Sequence, residues 1–179
     1  EYLKFKKLFS PKNCIHAFKN INNEFNAHQS GGRIISLNKD KILLSIGDYR
    51  SRYLSQDSSS INGKILKIDI NDKSYEIISM GHRNPQGLFY DKQKKYLLST
   101  EHGPAGGDEI NLININKNNL PNYGWPIASY GEHYEKKTKK NYNKFIKYPL
   151  LKSHRKNNFI EPLKYFVPSI GISEIVKAN

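Results

Sequence analysis

The residue types best suited to chemistry are concentrated in three short clusters between Gly81 and Pro126. In order they read GHRNPQG (81–87), EHGPAGGDE (101–109) and NYGWP (122–126). A loop that only reverses the chain needs Gly, Pro or Asn. Arginine, amide, imidazole and carboxylate groups within a few positions therefore indicate a binding or catalytic site, whereas the aromatic residues of the third cluster predict packing.

The first cluster carries Arg83, Asn84 and Gln86 around a single proline, Pro85. A guanidinium and two amides provide several hydrogen-bond donors, which suit a planar ligand with carboxylates and carbonyls. Pro85 would fix the backbone between them. The alternative interpretation of this cluster is an ordinary turn with an arginine on the surface.

The second cluster contains Gly103 and Pro104, followed by two more glycines, Asp108 and Glu109. It lacks the Gly-Lys-Ser/Thr of a phosphate-binding loop, and a strand rather than a helix follows it. Backbone carbonyls exposed at such a turn, with carboxylates nearby, fit a hard cation such as calcium. Alternatively, Asp108 and Glu109 accept hydrogen bonds from neighbouring amides.

A candidate general base, His28, lies upstream of these clusters and opens a predicted strand. The ordinary pKa of histidine, about 6.5, allows a neutral imidazole to accept a proton near neutral pH. Asp48 ends the next strand in the sequence Ile-Gly-Asp. Pairing of the two strands would bring its carboxylate towards His28 and orient the ring. By itself, His28 is also compatible with a structural or exposed position.

Short strands separated by polar turns must position these residues. No segment places apolar residues at helical spacing over three turns. Many short strands at intervals of about ten residues indicate a sandwich, barrel or propeller. Polar glycine-containing clusters at strand ends favour an all-β propeller, whose loops converge on a central channel. The predicted strands cover 33–37, 41–46, 64–70, 74–80, 87–90, 96–100, 109–115 and 161–168, with weaker alternation over 3–9.

The domain organisation predicted from this pattern is a partial β-propeller over residues 1–179. Lys, Asn and Tyr dominate residues 131–158, which predict a Lys/Asn-rich surface loop inserted between blades. The chain then stops at Asn179 within a β-type run, so we expect an incomplete fold of roughly two to three blades.

The composition of the chain limits the classes of function that we expect for it. The formal net charge of +13 suggests nucleic-acid binding, but lysines are spread over every segment, so we expect no nucleic-acid partner. The only cysteine, Cys14, excludes an internal disulfide and a cysteine-based zinc site. No run of apolar residues reaches the length of a membrane-spanning helix, and the N-terminus lacks the layout of a signal peptide.

Together the clusters resemble the soluble quinoprotein glucose dehydrogenase and aldose sugar dehydrogenase family, the glucose/sorbosone dehydrogenases. The resemblance rests on GHRNPQGL, EHGPAGGDEINLI and NYGWP, preceded by HQSGGR, IGD and GKILKI. It runs in order from about Asn26 to Tyr130 and resumes at FVPSI, residues 166–170. Five motifs in the same order are not expected by chance.

The resemblance implies a six-bladed β-propeller with pyrroloquinoline quinone (PQQ) and calcium near its axis. It further implies oxidation of an aldose sugar at C1 to a lactone, by hydride transfer to the quinone, with an external electron acceptor. His28 occupies the position of the general base, and Asp48 that of the aspartate supporting it. Arg83 would lie over the reacting quinone and sugar.

The remaining site residues also follow from the resemblance. Asn84 and Gln86 would hold the cofactor. His102 falls where the glucose dehydrogenase branch has a glutamine, and the aldose branch also reads Glu-His-Gly-Pro. Gly103 and Pro104 would offer backbone carbonyls to the calcium ion.

The sequence departs from the family pattern in two respects that change what we expect of this chain. Ala27 replaces an acidic residue that precedes the histidine in the glucose dehydrogenase branch, so selectivity for glucose is not expected. The family's later lysine and arginine ligands for the cofactor lie beyond Asn179. We therefore expect residues 1–179 alone neither to fold well nor to oxidise sugar.

The family resemblance implies a periplasmic or secreted protein. The alternative function is a non-catalytic β-propeller that binds a glycan or a protein partner. Retention of the candidate base His28 together with the arginine and amide cluster favours the enzyme, since a binding module has no need of a base.

Overall fold

The computed structural model describes residues 2–11, 14–16, 28–116 and 119–178. Within these ranges, one short helix, α1 (Tyr142–Lys147), and two 3₁₀ turns, Arg52–Gln56 and Arg155–Asn157, accompany the strands. The strands are β1 (Gly31–Ser36), β2 (Lys41–Ile46), β3 (Lys64–Asp69), β4 (Tyr75–Met80), β5 (Pro85–Asp91), β6 (Tyr96–Glu101), β7 (Asp108–Ile113) and β8 (Lys164–Phe166).

The strands form two four-stranded antiparallel sheets. Each sheet pairs its strands in the order in which they occur, β1-β2-β3-β4 and β5-β6-β7-β8. A four-stranded antiparallel meander is the repeating blade of a β-propeller. The described residues therefore form two blades, with β1 and β2 of the first packed against β5 of the second.

Side-chain hydrogen bonds at the turns explain why the hairpins form where the sequence predicts them. Asn38 Oδ1 accepts from the amides of Asp40 and Lys41, each at 2.9 Å. Asp91 makes the corresponding pair of bonds in the turn between β5 and β6. Such Asx turns satisfy backbone donors that a sharp reversal would otherwise leave unpaired.

Alternation along the strands divides the apolar residues between two clusters. Successive side chains of a strand point to opposite faces, so Ile65 and Leu66 of β3 belong to different clusters. Ile46, Leu66 and Ile68 form the smaller cluster. The larger one joins both sheets and consists of Leu43, Ile65, Ile78, Leu88, Leu97, Ile113 and Tyr123.

Two predicted strands differ from the structure. Residues 3–9 form no strand, and the last strand is limited to β8. The prediction of a β-type run at the end of the chain is wrong, because residues 167–178 have no strand partner within the described ranges. The amides of Ile170 and Gly171 instead donate to the carboxylate of Asp108, at 3.1 and 2.8 Å. They are therefore not available to a β-ladder.

The segment 131–158 lies between β7 and β8 of one sheet, so the prediction of a loop between blades is wrong. It contains α1 and packs against the protein at several points. Tyr148, Leu150 and His154 are each no more than 3% exposed. His133 Nε2 lies 2.8 Å from the carbonyl oxygen of Tyr148, which fixes the start of the segment against its later part. No helix in the described ranges combines the length and the apolar character needed to cross a membrane.

Candidate active site

The backbone that carries His28 lies beside the backbone that carries Asp48. The amide of Tyr49 donates to the carbonyl of Gln29 at 3.1 Å. A side chain on Gly47 would overlap that same carbonyl oxygen, so only glycine allows this approach. His28 is exposed. The two segments are therefore paired through their backbones, and the predicted approach of the Asp48 carboxylate to the His28 ring stays a prediction.

Asp48 is completely buried and accepts three hydrogen bonds. Its Oδ1 accepts from the Arg50 amide (2.8 Å) and its Oδ2 from the indole Nε1 of Trp125 (2.7 Å). The side-chain amide of Gln29, oriented to satisfy both of its neighbours, also donates to Oδ1 at 2.7 Å. Burial raises the pKa of Asp48 to about 6, although the Arg50 amide and the Arg83 charge act in the opposite direction.

Arg83 is the second buried charge, with 7% of its surface exposed. Its guanidinium donates to the His102 carbonyl through Nη1 and to the Gln29 side-chain oxygen through Nη2, each at 2.8 Å. The guanidinium carbon lies 5.4 Å from the Trp125 ring centre, a distance typical of a cation–π contact. Burial lowers the pKa of Arg83, and the Asp48 charge opposes that effect. Gln29 and Trp125 thus each contact both charges.

The two amides predicted to hold a cofactor lie next to Arg83. Asn84 Oδ1 accepts from the amide of Gly31 (3.1 Å) and from Gln86 Nε2 (2.9 Å). The Gln86 carbonyl accepts from Arg33 Nε at 3.1 Å. These contacts join the start of β5 to β1, and the predicted role of Asn84 and Gln86 in cofactor binding stays a prediction.

His102, Gly103 and Pro104 line a small cleft together with Arg83. His102 Nε2 is buried and makes no hydrogen bond to any described residue. A side chain at position 103 would overlap the Gly107 carbonyl oxygen, so the turn requires glycine here. The predicted calcium turn is therefore tightly folded and borders a cleft that contains a ring nitrogen without a partner.

The carboxylate of Asp108 accepts hydrogen bonds from several neighbouring groups. Its Oδ1 accepts from the Gly103 amide (3.1 Å) and the Ser169 hydroxyl (3.0 Å), and its Oδ2 accepts from the Gly171 amide (2.8 Å). Burial acts to raise the pKa of Asp108, but these donors hold it below its usual range. The described contacts therefore agree with the alternative in which this carboxylate ties the turn together.

Glu109 is buried near two polar side chains. Asn111 Nδ2 lies 3.4 Å from its Oε2, and His154 Nε2 lies 3.6 Å from its Oε1. Burial, reinforced by the charge of Glu101, raises the pKa of Glu109 well above its ordinary value. No group of three or more His, Cys, Asp or Glu residues suited to a metal ion occurs in the described part of the chain.

A buried hydrogen-bond network supports the backbone of Arg83. The Arg83 amide donates to Glu101 Oε2 at 2.8 Å. Glu101 Oε1 lies 2.9 Å from His82 Nδ1 and accepts from Asn111 Nδ2 at 2.7 Å. Burial acts to raise the pKa of Glu101, but His82 and these donors together hold it below its usual value. The sequence clusters include Glu101 and His82 without indicating this role.

A larger cleft shares Arg83, Pro104 and Trp125 with the smaller one. Residues from the segment 131–158 contribute to its wall. The complete lining is Gln29, Arg50, Arg52, Arg83, Pro104, Trp125, His133, Tyr134 and Glu135.

Sequence reasoning missed two residues that connect the site. Gln29 directly follows the candidate base His28, and this position in the sequence could have identified it. Trp125 is buried, as its predicted packing role requires, but its indole also donates to Asp48 and its ring lies by Arg83. A lone tryptophan in a glycine-containing polar loop was the clue there. The departure at Ala27 lies outside the described residues.

Comparison with known proteins gives matches to two sugar dehydrogenases. The chain is 35% identical over 117 residues to aldose sugar dehydrogenase YliI of Escherichia coli, covering 58% of this chain and 30% of that protein. It is 33% identical over 134 residues to quinoprotein glucose dehydrogenase B of Acinetobacter calcoaceticus, covering 58% of this chain and 27% of that protein.

Among solved structures, the apo-form of the soluble aldose sugar dehydrogenase from Escherichia coli superposes with a TM-score of 0.62 at 28% identity. The match covers 80% of this chain and 42% of that one. The chain thus spans less than half the length of each of these three proteins. The predicted fold class is confirmed: the chain is all-β, and its two four-stranded sheets match part of a β-propeller sugar dehydrogenase.

The family model described as Glucose / Sorbosone dehydrogenase matches residues 9–179, which include both blades and every residue of the site described above. This chain belongs to the glucose/sorbosone dehydrogenase family.

Proposed function

We propose that the full-length protein oxidises aldose sugars at C1 to lactones, with PQQ as the hydride acceptor and an external acceptor for the electrons. The relatives named aldose sugar dehydrogenase and quinoprotein glucose dehydrogenase support this assignment. The observation that carries it is the buried cluster in which Gln29 and Trp125 link the Asp48 carboxylate to the Arg83 guanidinium. Such a cluster is costly to bury and is expected at a functional site.

The residues around the small cleft fit PQQ, which carries several carboxylates and carbonyls on a planar ring system. Among the described residues, Arg83 Nε and His102 Nε2 are buried without hydrogen-bond partners. Buried polar atoms of this kind are rare unless a ligand or water satisfies them. Arg83, Asn84, Gln86 and His102 would hold the cofactor, and the bound quinone would supply the acceptor for the hydride.

The turn at Gly103 and Pro104 fits calcium through its backbone rather than through carboxylates. No described amide donates to either carbonyl oxygen. Calcium accepts carbonyl ligands readily, and a bound ion would supply Lewis acidity. Asp108, already bonded to amides, and Glu109, whose pKa is raised, would then support the turn instead of entering the coordination shell.

His28 is the proposed general base, which takes the proton from the anomeric hydroxyl. Its exposure makes the imidazole accessible to a sugar. The Asp48 carboxylate, on the adjacent backbone segment, would stabilise the protonated ring. Because the pKa of Asp48 is about 6, its carboxylate is mostly ionised at neutral pH. Arg83 would orient the sugar against the cofactor.

Reconstitution of the full-length protein tests this proposal. With PQQ and calcium we expect reduction of a dye by aldoses and formation of the lactone. His28→Ala should lower kcat by about 10²–10⁴-fold while PQQ stays bound, whereas His16→Ala, at another exposed histidine, serves as the matched control. Equal rates in His28→Ala and the unaltered protein would remove His28 from this role.

Absence of both PQQ binding and oxidation in the full-length protein would favour the alternative, a propeller that binds a glycan or protein partner. We infer a periplasmic or secreted location from the family resemblance. Fractionation of cells that express the full-length protein tests that inference directly.

A further inference from the structure

Three arginines border the larger cleft: Arg50, Arg52 and Arg83. The guanidinium of Arg52 lies by the rings of Trp125 and Tyr148, and the charge of Asp48 acts on Arg83. The carboxylate of Glu135 is already paired with Lys144 Nζ at 2.7 Å. The cleft therefore presents an excess of positive charge.

Two further titratable groups near the cleft are His133, in its lining, and Asp48. Burial, helped by the charge of Arg52, lowers the pKa of His133, so the imidazole is neutral at pH 7. Asp48 lies beneath the cleft, where the indole of Trp125 and the amide of Arg50 already donate to its carboxylate. An anion entering the cleft would meet guanidinium groups from two parts of the chain. One part is the turn after β2 and the other is the loop before β5.

Arg50 is presented to the cleft by an unusual backbone. Tyr49 and Arg50 have φ of 50° and 61°, the left-handed region that costs about 1–2 kcal/mol for a residue with a side chain. The bond from the Arg50 amide to Asp48 Oδ1 holds this conformation. Arg50 Nε is buried, and no acceptor among the described residues reaches it. A buried guanidinium donor without an acceptor is unfavourable, and an anionic oxygen would satisfy it.

The position of Gln29 relates this cleft to the sugar rather than to the cofactor. Gln29 directly follows the proposed base His28 and lines the larger cleft. The proposed calcium turn and His102 line the smaller cleft. The chain segment that carries the proposed base therefore adjoins the larger cleft, and we place the sugar there.

We propose that the larger cleft binds an anionic substituent of the sugar, and that Arg50 gives the enzyme a preference for acidic aldoses, such as uronic acids or aldose phosphates, over neutral ones. This inference rests on the proposed function. The fork of a guanidinium suits both carboxylate and phosphate oxygens.

The first test compares substrates in the full-length enzyme. The ratio of kcat/KM for D-glucuronic acid or D-glucose 6-phosphate to kcat/KM for D-glucose should exceed one. It should fall about tenfold or more in Arg50→Gln, the expected effect of losing a charge-assisted hydrogen bond. Arg50→Lys should retain part of the preference. Arg155→Gln, the same substitution at an exposed arginine outside the cleft, should leave the ratio unchanged.

A second test separates this inference from the proposed function. Methyl β-D-glucuronoside has no free anomeric hydroxyl, so it cannot be oxidised at C1. Calorimetry should show that it binds more tightly than methyl β-D-glucoside, and that salt and Arg50→Gln both weaken its binding. Arg50-dependent binding without oxidation of any aldose would uphold the inference and refute the proposed function. Oxidation of acidic and neutral sugars with equal kcat/KM would overturn the inference alone.

A third test distinguishes the two sources of an anion, since PQQ also carries carboxylates. Equilibrium dialysis of PQQ against the full-length protein should give the same affinity for Arg50→Gln and the unaltered protein. If Arg50→Gln weakened PQQ binding and left the ratio of substrate preference unchanged, the anion would belong to the cofactor and the inference would be overturned. Circular dichroism of each variant verifies that it is folded.

Discussion

The indole Nε1 of Trp125 donates to Oδ2 of Asp48 at 2.7 Å, across 77 residues of sequence. The bond joins the loop after β2 to a loop that follows β7. Asp48 is fully buried, and burial raises its pKa to about 6. The tryptophan therefore helps to determine how much of this carboxylate is ionised near neutral pH.

Trp125→Phe should raise the pKa of Asp48 further, because the variant lacks the indole donor but keeps a ring against Arg83. A hydrogen bond to a charged group contributes about 1.5–3 kcal/mol, so the pKa should rise by about one pH unit or more. The acid limb of kcat/KM in the full-length enzyme should move upward by that amount. Tyr165→Phe, remote from Asp48 in the second sheet, is the control. An acid limb that stayed in place would refute this role of Trp125.

Asp48→Asn should remove a pH dependence of stability. The pKa of Asp48 rises from 3.8 to about 6 on folding, so the folded state binds the proton more tightly. The contribution of Asp48 to stability is therefore greatest below about pH 4 and falls as the pH rises through 6. Relative to Asp48→Asn, the unaltered protein should lose on the order of 3 kcal/mol of unfolding free energy over that interval. Urea unfolding of the full-length protein at each pH measures the difference.

Asp72→Asn provides the contrasting control for that experiment. Hydrogen bonds from Ser74 lower the pKa of the exposed Asp72. Its contribution should therefore have the opposite sign, with stability lost as the pH falls. Parallel stability curves for Asp48→Asn and the unaltered protein would contradict the raised pKa of Asp48.

Glu101→Ala should destabilise the protein by about 3–5 kcal/mol, the expected cost of removing one partner from a buried charged network. The amide of Arg83, His82 Nδ1 and Asn111 Nδ2 all contact this carboxylate. Glu101→Gln keeps one oxygen acceptor and should cost less. Urea unfolding of both variants in the full-length protein measures the two costs.

Glu76→Ala is the surface control for Glu101. Glu76 pairs with Lys67 but is largely exposed, and such pairs contribute about 0–1 kcal/mol. Because the pKa of Glu101 is held below its usual value, its stabilising effect should also disappear as the pH falls through that pKa. Equal costs for Glu101→Ala and Glu76→Ala would show that the network is not stabilising.

Gly103→Ala should disrupt the turn at the small cleft. The added side chain would overlap the Gly107 carbonyl oxygen, which is backbone and cannot move aside easily. We expect PQQ and calcium affinity in the full-length protein to fall at least tenfold, as measured by equilibrium dialysis.

Gly106→Ala separates this steric effect from backbone strain in the same loop. A side chain at Gly106 meets nothing closer than 3.7 Å, although its φ of 82° disfavours residues other than glycine. Gly106→Ala should therefore lower the free energy of unfolding by about 1 kcal/mol. It should reduce ligand affinity less than Gly103→Ala does. Equal affinity losses in the two variants would mean that strain alone explains the effect at Gly103.

The fold was largely predictable from the sequence because its determinants are local. Period-two alternation and the turn residues Asn38 and Asp91 locate the hairpins within one or two residues. Lys64 shows where local reasoning fails. It belongs to an alternating strand, yet it is fully buried, with Nζ donating to the carbonyls of Leu54, Ser55 and Asn62. Burial lowers its pKa to about 8.

The sequence by itself determined the strands, the three polar clusters and the family, since these depend on residue type and on spacing along the chain. Only the tertiary structure showed that Gln29 and Trp125 link Asp48 to Arg83, and that Arg50 borders the same cleft. Those contacts join segments far apart in sequence. They depend on how the two blades pack and on burial, which sets the pKa of Asp48, and neither quantity is encoded in a short motif.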